Sequence, residues 1–341
     1  DNRIVSGSYG HLAKVWSEVG NEWLCESTIK GHYSSIYSII ALSDERLVTS
    51  SWYGKIKVWH ESSFEWICDA TLEGHKGPVR SVCALSGKRL ASASSDHCLK
   101  IWHEYDSGWL CESTLVGHDG EVLSVIVLSD NRLVSGSTDN TIRVWCESKG
   151  MWECQDVLEE HTDSVQCVLG LSNGGIASVS DDMSVKVWLS SDSGWYCIAT
   201  LLGHGREVSC IQELHDGRLV TGSDDCDVKV WGKKGGKWCC LATLMGHKNR
   251  VDCVLGLDDG RVVSGSADCS LKVWRETEGD WYCDATIEGH QNWTRCITAM
   301  PNNHMVCGLS DNLLMIWDVL TDKWSFKLKL IGHQGSVRSV V

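Results

Sequence analysis

The most reactive-looking residues in the sequence are a histidine, a serine and an aspartate. His118, Ser135 and Asp139 supply the side-chain types of a hydrolytic triad, in which a carboxylate orients an imidazole and the imidazole deprotonates a hydroxyl. Eighteen cysteines form a second reactive set, able in principle to bridge or to ligate a metal. Repetition argues against both. The triad spacing recurs as His75, Ser92, Asp96; His161, Ser178, Asp182; His204, Thr221, Asp225; and His247, Ser264, Asp268. An enzyme needs one nucleophile in one cleft, whereas a set copied along the chain asks for a packing explanation. No P-loop, GxSxG elbow or HExxH pair is present.

The cysteines are copied too. Cys25, Cys68, Cys111, Cys154, Cys197, Cys240 and Cys283 share one repeat position. Cys167, Cys210, Cys253 and Cys296 share another, where other copies carry Ser38, Ser81, Ser124 and Ser339. Exchange of Cys for Ser marks a small buried side chain. Equivalent positions of neighbouring repeats should lie beyond the roughly 7 Å limit for a disulfide. No C-x-x-C pair occurs, so structural zinc is not expected, and reduced thiols in a cytoplasmic or nuclear compartment are.

The elements that position these residues emerge from residues 117–161. A Gly-His turn is followed by the apolar run Val122 to Leu128, then by RLVSGS, by the tight turn Thr138-Asp139-Asn140, by TIRVW and by a segment around Trp152. Four short strands separated by turn residues make one up-and-down antiparallel unit. His32, His75, His118, His161, His204, His247, His290 and His333 follow one another at a step of 43 residues. Trp16, Trp59, Trp102, Trp145, Trp188, Trp231, Trp274 and Trp317 keep the same step, as do Trp23, Trp66, Trp109, Trp152, Trp195, Trp238, Trp281 and Trp324. Eight copies fill a chain of 341 residues, so a single domain over 1–341 is expected.

A four-stranded sheet alone leaves both faces wet, and a radial arrangement buries them. The GH turn, the [ST]-x-S-x-D turn and the strand ending in Trp resemble the WD40 family over the whole length. One departure is that only Trp317-Asp318 keeps the family's namesake dipeptide. The expected fold is an all-β, eight-bladed propeller. Its last blade is split, residues 1 to about 29 giving strands b, c and d and His333 to Val341 giving strand a. Asp1 and Val341 should then lie in one blade, at most roughly 14 Å apart.

The resemblance also implies a role for the apparent triad. With Trp145, His118, Ser135 and Asp139 form a buried chain: Asp accepts from His, His bonds the hydroxyl, and the hydroxyl accepts the indole N–H. It should satisfy groups that would each cost about 1 to 3 kcal/mol if orphaned. Two neighbouring copies lack the Asp, at Gly10 and Tyr53, and one lacks the hydroxyl, at Cys307.

A formal charge of −14 argues against nucleic-acid binding, and no apolar run is long enough for a membrane span. The chain opens at Asp1 in mid-unit, which suggests a monomeric propeller inside a larger chain or complex. The resemblance places partner binding on the face made by the d–a and b–c loops. Three columns there turn aromatic or basic in four neighbouring blades: Trp293 and Arg295, Arg338 and Tyr9, Tyr37 and Trp52, and Arg80. The opposite arc carries Glu121, Gln166, Asp181, Glu207, Asp224 and Asp252. Trp, Tyr and Arg are enriched in binding hot spots. The favoured function is therefore a non-enzymatic scaffold that needs no cofactor and grips an acidic or phosphorylated peptide or protein segment. The alternative is a small-molecule or carbohydrate site, possibly enzymatic, in the central channel.

Overall fold

A computed structural model describes residues 3–20, 22–63, 65–288, 292–300, 304–319 and 324–341. The chain folds as an all-β, eight-bladed propeller built from eight four-stranded sheets. In the unit that exposed the repeat, the strands are Val122–Val127, Leu133–Ser137, Ile142–Ser148 and Met151–Leu158. The second strand is buried at all five positions, covered on both faces. The fourth alternates exposed and half-buried residues until Leu158 and forms the outer edge. The tight turns need the left-handed backbone region, which Asn131 (φ 66°) and Asn140 (φ 71°) enter. Asn tolerates that region because its short side chain can hydrogen-bond locally.

The chain divides into two compact units, residues 115–290 and residues 1–114 with 291–341. Within the first-named unit, Trp188 is 1% exposed and packs with Leu128, Val134, Ile142 and Val144 of the preceding blade and with Val165 and Val168 of its own first strand. The strand-c tryptophans thus seal one blade against the next. At the blade rims Arg132 lies over the Trp195 ring at 5.0 Å, and Arg218 lies over Trp281 at 5.4 Å while bonding Glu276 at 2.8 Å. Those contacts give Trp195 and Trp281 a packing role at the rim.

The other unit contains the split blade. Strands Glu22–Ile29, Ala13–Val19, Arg3–Ser8 and Val337–Val340 lie in that order in one sheet. Val5 and Val341 exchange both backbone hydrogen bonds, at 2.8 and 3.0 Å, so the C-terminal strand closes the blade begun by the N-terminal ones. Asp1, His290 and residues 320–323 lie outside the described residues. Here too each indole reaches the preceding blade: Trp59 packs with Val5, Ala13 and Val15, and Trp16 with Val306, Leu314 and Ile316. All eighteen cysteines are free. Cys210 and Cys296, in the Cys/Ser column, have thiol pKa values pushed up to about 12 by burial.

Two backbone devices recur in every blade and prepare the loop face. Each first strand carries a β-bulge near its start: Ile36 pairs with Ser51 and Ser38 with Ser50, so Tyr37 is the extra residue. The equivalent extra residues are Arg80, Arg295 and Arg338. The b–c loop is also clasped to the d–a loop by one backbone bond, Tyr9 N–H to Ser336 C=O at 2.9 Å and Trp52 N–H to Ser35 C=O at 3.0 Å. A bulge re-aims the side chain it carries. The clasp then sets the b–c residue beside it.

Candidate functional site

The apparent triad is a closed chain of hydrogen bonds. His118 Nδ1 lies 2.7 Å from Asp139 Oδ2, His118 Nε2 2.8 Å from Ser135 Oγ, and Trp145 donates Nε1–H to Ser135 Oγ at 2.9 Å. Ser135 is fully buried. No substrate can reach that hydroxyl, and its acceptor capacity is already used by an indole. The same geometry holds at His75, His161, His204 and His247. Burial alone would raise these carboxyl pKa values. Hydrogen bonds from the histidines, neighbouring backbone N–H groups and hydroxyls overcome it, holding Asp96 and Asp182 at about 2 and Asp139, Asp225 and Asp268 below the usual range.

The exceptions form their own group. In the blade of Trp59, His32 keeps its bond to Thr49 Oγ1 at 2.7 Å, while Tyr53 stands at the position that carries Asp in the intact blades. In the split blade His333 bonds Ser6 at 2.7 Å, and its buried Nδ1 has no partner. Burial lowers the pKa of both imidazoles to about 3, reinforced by Lys57 and Lys14 respectively. Cys307 occupies the hydroxyl position beneath Trp317, whose buried Nε1–H lacks a conventional acceptor.

On the loop face, five of the seven expected binding residues meet. Arg338 lies over Tyr9 at 4.9 Å and over Tyr37 at 5.8 Å, and Arg80 lies over Tyr37 at 5.1 Å and over Trp52 at 5.9 Å. Tyr9 meets Tyr37 edge-on at 6.0 Å, and Tyr37 stacks on Trp52 at 5.9 Å and 28°. Arg80 Nε donates to Ser95 Oγ at 3.0 Å, which fixes the guanidinium. The Tyr37 phenol pKa is raised by burial and by Tyr9, against the opposing pull of Arg80 and Arg338. The ladder remains accessible: Trp52 is 46% exposed, and Arg338 is exposed with no carboxylate partner among the described residues. Trp293 and Arg295 form a separate cation–π pair at 4.8 Å. The acidic residues named from the sequence lie in the unit of residues 115–290. There Asp181 accepts from Gln166 at 2.8 Å, and its carboxyl pKa is raised by burial and by Asp163 and Asp224.

Sequence reasoning named the columns but missed the bulge that aims one of them. The signal was weak, since the bulge position carries Tyr37, Arg80, Leu123, Gln166, Ser209, Asp252, Arg295 and Arg338 with no common chemistry. Sequence reasoning also missed the cavity of about 250 Å³ over His32. Among the described residues, no group of three or more His, Cys, Asp or Glu is placed to hold a metal ion.

Comparison with known proteins agrees with this architecture. The model described as "WD domain, G-beta repeat" matches residues 23–60, 66–103, 109–146, 152–188, 195–232, 238–275 and 281–318. Each match begins at a Trp of the last strand of one blade and ends at the third-strand Trp of the next, or one residue after it, so the copy divided between the chain ends is the one left unmatched. The fold is similar to the computationally designed Ika8 protein, at 27% identity and a TM-score of 0.77 over 91% of each chain. It is also similar to the WD40 β-propeller domain of Doa1, at 25% identity and a TM-score of 0.64 over 88% of this chain and 98% of that one. No curated protein matches the sequence. Seven matched repeats and eight blades of the same strand order together place this chain in the WD40 repeat family.

Proposed function

We propose that this propeller is a non-enzymatic scaffold that works as one domain and binds an acidic or phosphorylated peptide or protein segment on the ladder of Arg338, Tyr9, Tyr37, Arg80 and Trp52, with Trp293 and Arg295 extending the surface. WD40 propellers are commonly protein-interaction scaffolds. The observation that carries the reading is the alternation of guanidinium and ring, each Arg lying within 6 Å of two aromatic faces. Stacking holds an Arg flat, and Arg338, exposed and without a carboxylate partner among the described residues, offers its in-plane N–H groups for bidentate contact with a carboxylate or phosphate. The rings supply rigid apolar area at low entropic cost. On a chain of net charge −14, clustered Arg residues create a local positive field that orients an acidic segment.

The test is affinity capture from a cell extract with the wild-type chain and with R80A/W52A, read by mass spectrometry, followed by titration of the captured partner. Each substitution should weaken binding by about tenfold or more. Replacing Asp181 and Asp224 should change it far less. Equal losses from both sets would place the site elsewhere.

A further inference from the structure

The intact tetrads show what the Asp position does. One carboxylate oxygen accepts from the His Nδ1–H and from the next backbone N–H, as Asp96 does from His75 at 2.9 Å and from Lys76 at 2.8 Å. The other accepts from the N–H two residues further on, as from Cys98 at 3.2 Å. In the blade of Trp59 these three donors are His32 Nδ1 and the backbone N–H groups of Tyr33 and Lys55. None has an acceptor among the described residues. Tyr53 stands at the Asp position, 65% exposed, and its ring does not replace the carboxylate.

The two blades that lost the Asp differ in what fills the space. In the split blade the chain closes it: a Cβ on Gly10 would lie 2.9 Å from the Gln334 carbonyl carbon and 3.0 Å from the Gly335 nitrogen. Over His32 a cavity of about 250 Å³ remains, lined by Tyr33, Tyr53, Lys55, Lys57 and Glu73, with His32 itself at its floor. A corresponding cavity of about 280 Å³ is present in the intact blade of Trp274, so the hollow belongs to the blade itself; what differs is its lining, Asp268 there and His32 here. His32 is 8% exposed and held from behind by Thr49, so its second nitrogen is fixed at the cavity floor. Lys55 is paired with Glu73 at 2.6 Å, whereas Lys57 bonds only the neutral Thr71 (2.6 Å) and Cys68 (3.7 Å). One cationic charge is thus left uncompensated beside three convergent donors.

We propose that the cavity over His32 is a carboxylate-binding site, in which an external carboxylate takes the place of the missing aspartate. One oxygen accepts from His32 Nδ1–H and Tyr33 N–H, the other accepts from Lys55 N–H, and Lys57 supplies the countercharge. The donor set is the one that holds a planar two-oxygen anion in five sister blades, which favours carboxylate over phosphate. This site is separate from the Arg–aromatic ladder, and its test uses no protein partner.

The test is a titration of the ¹⁵N-labelled full chain with sodium acetate at constant ionic strength, balanced with chloride. Saturable shifts are expected at the Tyr33 and Lys55 amides and the His32 imidazole, with a melting temperature that rises with acetate. Tyr53→Asp rebuilds the internal carboxylate, so it should raise the melting temperature in chloride and weaken acetate binding by about tenfold or more. An N-acetyl-aspartyl amide distinguishes sources. Tighter binding than acetate assigns a peptide side chain, and equal or weaker binding assigns a free carboxylic acid. The proposal is overturned if acetate leaves those signals unmoved, if phosphate moves them and acetate does not, or if Tyr53→Asp binds acetate like wild type. The wild-type titration decides alone should the variant not fold.

Discussion

Lowering the pH should destabilise this protein through histidines whose pKa burial lowers, His161 and His204 among them and, with the largest shifts, the two histidines without an Asp. His32 and His333 are held at about 3 in the fold, against an ordinary value of about 6.5 in an unfolded chain. The folded pKa values are depressed, so between these limits the unfolded chain binds protons that the fold refuses. The stabilisation is complete above about pH 6.5 and is lost progressively as pH falls toward 3. From pH 7 to pH 5 each histidine removes about 2 kcal/mol, and the pair about 4. That is a large share of a typical folding free energy of about 5 to 15 kcal/mol. The groups around His32 do not relieve it, because Lys57 opposes protonation and Glu73 is engaged by Lys55.

The assay is guanidinium unfolding read by tryptophan fluorescence at pH 7, 6 and 5, in buffers free of carboxylates. His32→Gln removes one titrating group. It should cost stability at pH 7 yet lose about 2 kcal/mol less than wild type on going to pH 5. Because each protein is its own reference, the cost of the substitution cancels. Equal acid losses in the two proteins would mean that His32 takes up its proton as readily folded as unfolded, and the desolvation argument would fail. A direct imidazole titration by NMR measures the folded pKa of His32 without unfolding the chain.

Further outcomes follow from individual contacts. Trp145→Ala should destabilise by about 3 to 5 kcal/mol, through an interblade cavity and an orphaned Ser135 hydroxyl, and Ser135→Ala by less, both measured by chemical unfolding. Cys307→Ser should stabilise by about 1 kcal/mol, since a hydroxyl would accept the Trp317 N–H, and calorimetry would detect the higher melting temperature. Gly10→Asp should destabilise by about 1 to 3 kcal/mol because the loop at Gln334 and Gly335 already fills the space. Tyr53→Asp, the same chemical change in the next blade, should move the melting temperature the other way.

The sequence carried the strand count, the blade count and the split closure, because a fixed step of 43 residues converts eight weak local patterns into columns. The His–Ser–Asp–Trp chain was equally legible, since its four residue types repeat together. The aim of Tyr37, Arg80 and Arg338 was not. A bulge is a property of the count between two paired strands, and no residue type at that position announces it. Nor could the columns distinguish Gly10 from Tyr53. Both appeared as a lost Asp, yet one gap is shut by backbone and the other is open. Glycine has no Cβ to hold the neighbouring loop away, whereas Tyr53 keeps its Cβ and sends the ring outward.

That difference bears on where function can sit in a repeat protein. Residues that every blade must share, the buried hydroxyl, the strand-c indole and the histidine, are fixed by packing and cannot single out one place on the molecule. Specificity has to come from positions whose side chains leave the blade without costing it stability. The bulge residue and the b–c loop residue meet that condition, because their backbones are held by ladder bonds and clasps that any side chain permits. The carboxylate of the tetrad meets it only partly, since its loss leaves donors unpaired. Where it is lost and the gap stays open, the donors left behind keep the spacing that holds a carboxylate in the intact blades. A blade in that state is less stable alone and better prepared for an anion, so the same three hydrogen bonds serve folding in five blades and are available for recognition in one.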